Sequence, residues 1–81
     1  MEIDRDIFGL FLFAKRHIRV LSVRALAKAA GVPTTAVERA EERRPISPRQ
    51  FEKLCRWQGE PPSLFELRRP GDPEIFARRA A

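Results

Sequence analysis

The chain has 81 residues, of which 33% are charged and 43% hydrophobic, and a formal net charge of +5 at pH 7. This length allows one domain with a small core, and the composition excludes a disordered chain. A single cysteine, Cys55, excludes an intramolecular disulfide and a multi-cysteine metal centre. The apolar run at 7–14 is too short to span a bilayer, so we expect a cytoplasmic protein without membrane contact.

The first predicted helix spans about Asp6 to His17 and follows acidic residues that suit its positive end. Phe8, Leu12 and the stem of Arg16 form one face for the core. A second apolar face remains, and two interpretations stay open: a C-terminal segment covers it, or it contacts a second subunit. The candidates for a dimer or partner contact are Ile7, Leu10, Phe11, Phe13, Trp57 and Phe76.

Two short helices are predicted on either side of a turn at Gly31. Ser22 is a favourable N-cap for the first of them, and glycine just past a helix favours a left-handed stop. Pro33 then fixes a backbone angle suited to the start of the next helix. Small apolar residues on both sides of the turn, such as Ala27 and Ala36, allow the two helices to cross closely.

A fourth helix is predicted from Ser47, Pro48 and Gln50, which have the pattern of a capping box, to a stop at Gly59. Cys55 lies on its apolar side and is interpreted as a small buried residue. A short fifth helix around 64–67 is predicted to close the core. We therefore expect one domain over residues 1–67, and over residues 68–81 a tail or short C-terminal helix that packs on the first helix or at a dimer interface.

This succession of five short helices, with Ala-Gly-Val-Pro joining the second to the third, resembles the Cro/repressor-type helix-turn-helix family, also called XRE-type. The resemblance covers roughly residues 8–67. It implies an all-α, lambda-repressor-like bundle with a central helix-turn-helix. The residues that carry it are Leu21, Ser22, Leu26, Ala27, Gly31, Val32, Val37, Glu41, Phe51, Leu54 and Gly59.

The resemblance also implies an ion pair, because in that family an Arg near the end of the first helix commonly pairs with a Glu late in the third. The matching positions here are Arg16 and Glu41, and the role of the pair is structural. The chain departs from the family pattern at three positions. Val20 and Arg43 stand where Gly is common, and Gln58 stands where Leu is usual.

The charge is concentrated around the central helices. Residues 14–56 hold eleven Lys or Arg against four Glu, a net charge of +7, so a polyanion is the first partner to consider. The resemblance places four polar residues on the base-facing positions of the third helix: Thr34, Thr35, Glu38 and Arg39. By the same analogy the phosphate contacts are Ser22, Arg24, Lys28, Arg43, Arg44 and Arg49.

From these features we expect a sequence-specific, double-stranded DNA-binding transcriptional regulator, a repressor that binds a palindromic operator as a homodimer. The alternative is an antitoxin or adaptor on the same fold, whose apolar first helix binds a partner protein and whose DNA binding is autoregulatory. His17 is the only histidine, and the chain has no Gly-rich phosphate loop or nucleophile–base pair. We therefore expect no enzyme activity, no metal and no cofactor.

Overall fold

The structure is a computed structural model and describes residues 2–67. These residues form an all-α fold with one isolated antiparallel bridge, between Ile3 and Glu66, and no strand. None of the helices in this range has the length and apolar character to cross a bilayer. The predicted C-terminal helix and Phe76 lie outside the described residues. The elements are α1 (Arg5–Ile18), α2 (Val23–Ala30), α3 (Thr34–Glu41), α4 (Pro48–Gln58) and a 3-10 helix (Pro62–Phe65).

The helix starts follow the predicted capping chemistry. The Ser22 hydroxyl accepts a hydrogen bond from the Ala25 amide at 3.0 Å, and Ser47 and Gln50 form a reciprocal capping box at α4. The first helix begins one residue earlier than predicted because Asp4 caps it and accepts from the amides of its first turn. Side chains therefore satisfy amides at the starts of α1, α2 and α4 that would otherwise lack partners.

Each of the four α-helices is followed by a left-handed residue, one position past the end of α2 and α4 and two positions past the end of α1 and α3. Gly31 and Gly59, with φ of 74° and 76°, adopt this conformation as predicted. Val20 and Arg43 adopt it as well, with φ of 54° and 62°. At these two positions the backbone therefore turns as it would with the glycine that is common in the family. The left-handed conformation of a residue with a side chain destabilises the fold by about 1–2 kcal/mol.

The predicted fifth helix around 64–67 differs in position from the short helix observed there. A 3-10 helix occupies Pro62–Phe65 instead, and the residues after it pair with the N-terminal segment. The Leu67 amide donates to the Glu2 carbonyl at 2.8 Å, and the Asp4 amide donates to the Phe65 carbonyl at 2.7 Å. Because these backbone groups are already paired with a distant segment, they are not available to continue a helix.

The core lies where the four α-helices and the 3-10 helix meet. The rings of Phe8, Phe51 and Phe65 form its aromatic part, and the centroid of Phe8 is 4.9 Å from that of Phe51 and 5.0 Å from that of Phe65. Cys55 is buried as predicted, and burial raises the pKa of its thiol to about 11, so the group is protonated at neutral pH. The fully buried aliphatic residues are Leu12, Leu26, Val37 and Leu54.

Gly9 sets the distance between α1 and α3. It is buried in the middle of the first helix, and a Cβ atom at this position would lie 2.5 Å from the Ala40 carbonyl oxygen. Only a residue without a side chain permits this approach. The contact brings the inner side of α1 directly against the last turn of α3, which leaves the opposite side of α3 to the solvent.

Candidate nucleic-acid interface

Two faces of α3 differ sharply in chemistry. Ala36, Val37 and Ala40 are at most 2% exposed and hold the helix against the core. The remaining side, which we call the polar face of α3, is exposed and consists of the four residues predicted to read bases: Thr34, Thr35, Glu38 and Arg39. Residues 34 and 38, and likewise 35 and 39, are one helical turn apart, so these side chains share one surface.

The groups on the polar face of α3 are available to a ligand. Within residues 2–67, neither Glu38 nor Arg39 forms an ion pair. The planar guanidinium of Arg39 can therefore donate two parallel hydrogen bonds, and Glu38 can accept from an amino group. Two threonines in the first turn add hydroxyl and methyl groups close to the helix start.

An ion pair anchors the other end of α3. Arg16 donates from Nε to Oε2 of Glu41 at 2.7 Å and from a second nitrogen to Oε1 at 2.9 Å, and it also donates to the Leu21 carbonyl. The two side chains are 13% and 12% exposed. The hydrogen bond to Glu41 raises the pKa of Arg16. The pair expected from the resemblance is thus present, and it ties α1, α3 and the segment before α2 together.

Lys53 supports the turn between α2 and α3, and the sequence reasoning missed this role. Its Nζ atom donates to the Gly31 carbonyl oxygen at 3.2 Å from the neighbouring helix α4. A carbonyl just past a helix end is otherwise without an intrahelical partner, so the ammonium group satisfies it. No local pattern predicts the contact, because 22 positions of sequence separate the two residues.

Four of the predicted phosphate contacts are exposed and carry no acidic partner in the described range. Ser22 uses its oxygen as an acceptor for the α2 cap, which leaves its hydroxyl hydrogen able to donate to an anion. The other three side chains extend from two helices, α2 and α4. They are Arg24, Lys28 and Arg49.

The remaining two candidates, Arg43 and Arg44, each lie near an acidic side chain. Arg43 approaches Asp6 at 3.3 Å, and Arg44 approaches Glu42 at 3.9 Å. The arginine side chains are 50% and 63% exposed, so these pairs are solvated and weak. A phosphate can replace either carboxylate, so both residues remain able to contact a polyanion.

The predicted subunit contacts fall into two places. Ile7, Leu10, Phe11 and Phe13 are 36–55% exposed on α1. Trp57 instead borders a hollow between α2 and α4, and the guanidinium of Arg19 lies 4.6 Å from its ring centroid. This cation–π contact, which the sequence reasoning also missed, gives Trp57 an intramolecular partner.

A groove of about 810 Å³ lies between the start of α1 and the loop after α3. Its walls include the buried rings of Phe8 and Phe51 and the side chains of Arg5, Arg43 and Arg44. Among the described residues, no Ser, Cys or His lines the groove. Within residues 2–67 no group of three or more His, Cys, Asp or Glu side chains could hold a metal ion. The polar face of α3 and its basic surroundings are therefore the clearest candidate site.

The chain matches no protein-family model, no curated protein and no solved structure.

Proposed function

We propose that this protein is a sequence-specific regulator that binds double-stranded DNA through a helix-turn-helix formed by α2 and α3. The observation that carries this proposal is the polar face of α3, which is exposed, includes an unpaired arginine in the described range and lies on a helix otherwise held in the core. The resemblance to Cro/repressor-type domains supports the same assignment. A single α-helix fits the major groove of B-DNA, where base edges are distinguishable.

In this proposal the residues of the polar face contact different chemical groups of the DNA. Arg39 would donate to the two acceptors of a guanine, which is the commonest specific contact in protein–DNA complexes. Glu38 would accept from the amino group of a cytosine. Thr34 and Thr35, in the first turn of the helix, would contact a thymine methyl group or a phosphate oxygen.

Phosphate contacts would come from both sides of the polar face. Arg24 and Lys28 extend from α2, and Arg49 extends from the start of α4. Neutralising several phosphates releases counterions, so the affinity should fall steeply as salt concentration rises. The two loop arginines, Arg43 and Arg44, would add to this contribution by exchanging their weak carboxylate partners for phosphates.

A single domain of this size reads few base pairs, so we propose that two copies bind a palindromic operator. Their third helices would enter successive major grooves about one DNA turn apart. Symmetry then multiplies both affinity and specificity. Occupation of such an operator would repress the adjacent gene.

Two arginine substitutions test the proposal in opposite ways. Arg39→Ala should lose the preference for the selected operator over random DNA by about 1–3 kcal/mol while keeping non-specific binding. Arg44→Ala should weaken binding to all sequences alike. Titration of each variant with operator and random duplexes by fluorescence anisotropy measures both effects. Arg56→Ala, an exposed arginine late in α4, serves as the control; unchanged discrimination by Arg39→Ala would remove that residue from the readout.

The exposed apolar residues of α1 favour a second candidate, an antitoxin or adaptor on the same fold. Such a protein would bind a partner protein through α1 and use DNA binding for autoregulation. A toxin-like gene next to its own would support this candidate. Co-expression with that gene product and co-purification as a complex would test it, because the first proposal requires no other protein.

A further inference from the structure

The outward side of α1 carries an unbroken apolar stripe. Its residues follow one another at intervals of one, three or four positions. Ile7, Leu10 and Ile18 are 41%, 55% and 79% exposed, whereas Phe11 is 36% exposed because one edge of its ring packs against Phe65. A spacing of this kind produces the seam by which one helix packs on another. We call this surface the outer stripe of α1; it consists of Ile7, Leu10, Phe11, Ala14 and Ile18.

The outer stripe of α1 is complementary to itself when its direction is reversed. In an antiparallel pair, Ile7 of one copy lies opposite Ile18 of the other, and Phe11 lies opposite Ala14. Both pairings are symmetric about the same point of the helix, so a single two-fold axis satisfies them together. The large ring of Phe11 then meets the smallest side chain of the stripe, which lets the two helices approach closely.

The helix dipoles, and not the side-chain charges, favour the same direction. Lys15 and Arg16 in the last turn of α1 already pair with Glu60 and Glu41 of the same chain, and Asp6 in the first turn approaches Arg43. An antiparallel pair opposes the two helix dipoles, whereas a parallel pair would align them, which is unfavourable.

We propose that a second copy of this chain docks on the outer stripe of α1, with the two α1 helices antiparallel. The pairing supplies a subunit contact for operator binding but does not rest on it, because none of its residues belongs to the polar face of α3. A helix of 14 residues is about 21 Å long, so α1 alone buries less than the roughly 800 Å² per partner of a standard interface. The dimer should therefore dissociate on dilution.

Sedimentation velocity of the full chain without DNA tests the proposal over a range of concentrations. The wild type should pass from monomer to dimer, and Ile18→Glu should raise the dissociation constant about tenfold or more. Because Ile18 is 79% exposed, the variant keeps the monomer fold, which circular dichroism checks. Val20→Glu is the matched control, since Val20 is 89% exposed but lies outside the stripe, and it should dimerise as the wild type does.

A wild type that stays monomeric would overturn the proposal, whether the rest of the chain or a different protein covers the stripe. An Ile18→Glu variant that dimerises normally would overturn it equally. In either case, retained operator binding would leave the proposed DNA contact intact, so the two ideas can fail separately.

A disulfide experiment tests the antiparallel direction. The double variant Ile7→Cys, Ile18→Cys should form, under mild oxidation, a dimer in which position 7 of one copy is bonded to position 18 of the other. Eleven helical positions, about 16 Å, separate the two sites within one chain, so an intramolecular bond cannot form. Cys55 needs no replacement because it is buried. Exclusive bonding of position 7 to position 7, or of 18 to 18, would overturn the antiparallel register.

Discussion

The outward faces of α1 and α3 differ although the two helices pack on each other through similar inner faces. The inner faces share small residues, namely Gly9 on one helix and Ala40 on the other, and are joined by the ion pair of Arg16 and Glu41. The outer face of α3 is polar, whereas that of α1 is apolar. A common inner junction thus supports one polar and one apolar surface.

Glu41→Gln should break this junction and have the largest effect on stability. The substitution removes the carboxylate and leaves the Arg16 charge partly buried without a counterion, so the free energy of unfolding should fall by about 2–3 kcal/mol. Urea denaturation measures the change. Glu42→Gln is the matched control, because the Glu42 side chain is 58% exposed, and it should change little; similar losses in both variants would contradict a special role for the pair.

Gly9→Ala should separate α1 from α3. Alanine favours a helix by about 1 kcal/mol over glycine, but the new Cβ would overlap the Ala40 carbonyl oxygen and force the helices apart. Overpacking of this kind costs about 1–3 kcal/mol, so we expect a net loss of about 1 kcal/mol, measured by denaturation. A more stable variant would show that α1 can move away from α3 at little cost.

Gln58→Leu should stabilise the protein by about 1 kcal/mol. Gln58 is 4% exposed, and among residues 2–67 neither polar atom of its side-chain amide has a hydrogen-bond partner. A buried amide without partners is destabilising, and leucine fills a similar volume without that penalty. A rise in melting temperature would bear this out. A fall would mean that the amide is satisfied in solution.

Val20→Gly, just past the end of α1, should have the smallest effect on stability. Glycine adopts the left-handed conformation without steric cost, but it also gives the unfolded chain more freedom, so we expect a net gain of at most about 1 kcal/mol. Val20→Ala keeps a Cβ atom and should gain less. Thermal denaturation of the pair measures the difference, and equal stabilities would contradict backbone strain at this position.

Local chemistry made much of this fold predictable. The caps at Ser22 and Ser47 and the stops at Gly31 and Gly59 depend on neighbouring residues only, and the structure has all of them. The alternation along the third helix likewise predicted which of its side chains are exposed. The ion pair of Arg16 with Glu41 came from the family resemblance and could not have been derived from local sequence.

Contacts between distant residues were not predictable in this way. Lys53 reaches Gly31 from another helix, and the closeness of Gly9 to Ala40 depends on how α1 crosses α3. The fifth helix was predicted two residues too late because nothing in residues 64–67 reveals that the N-terminal segment pairs with them. An isolated glycine in an apolar helix was the one signal that could have indicated the close crossing.

The most direct test of the central claim, that the polar face of α3 reads DNA sequence, is selection of bound duplexes from a random pool by the wild type and by Arg39→Ala. The wild type should enrich a palindromic sequence with half-sites about one helical turn apart. The variant should lose the preference for guanine at one symmetric pair of positions while other positions keep theirs. Enrichment of no sequence by the wild type, or of the same sequence by both proteins, would contradict the claim.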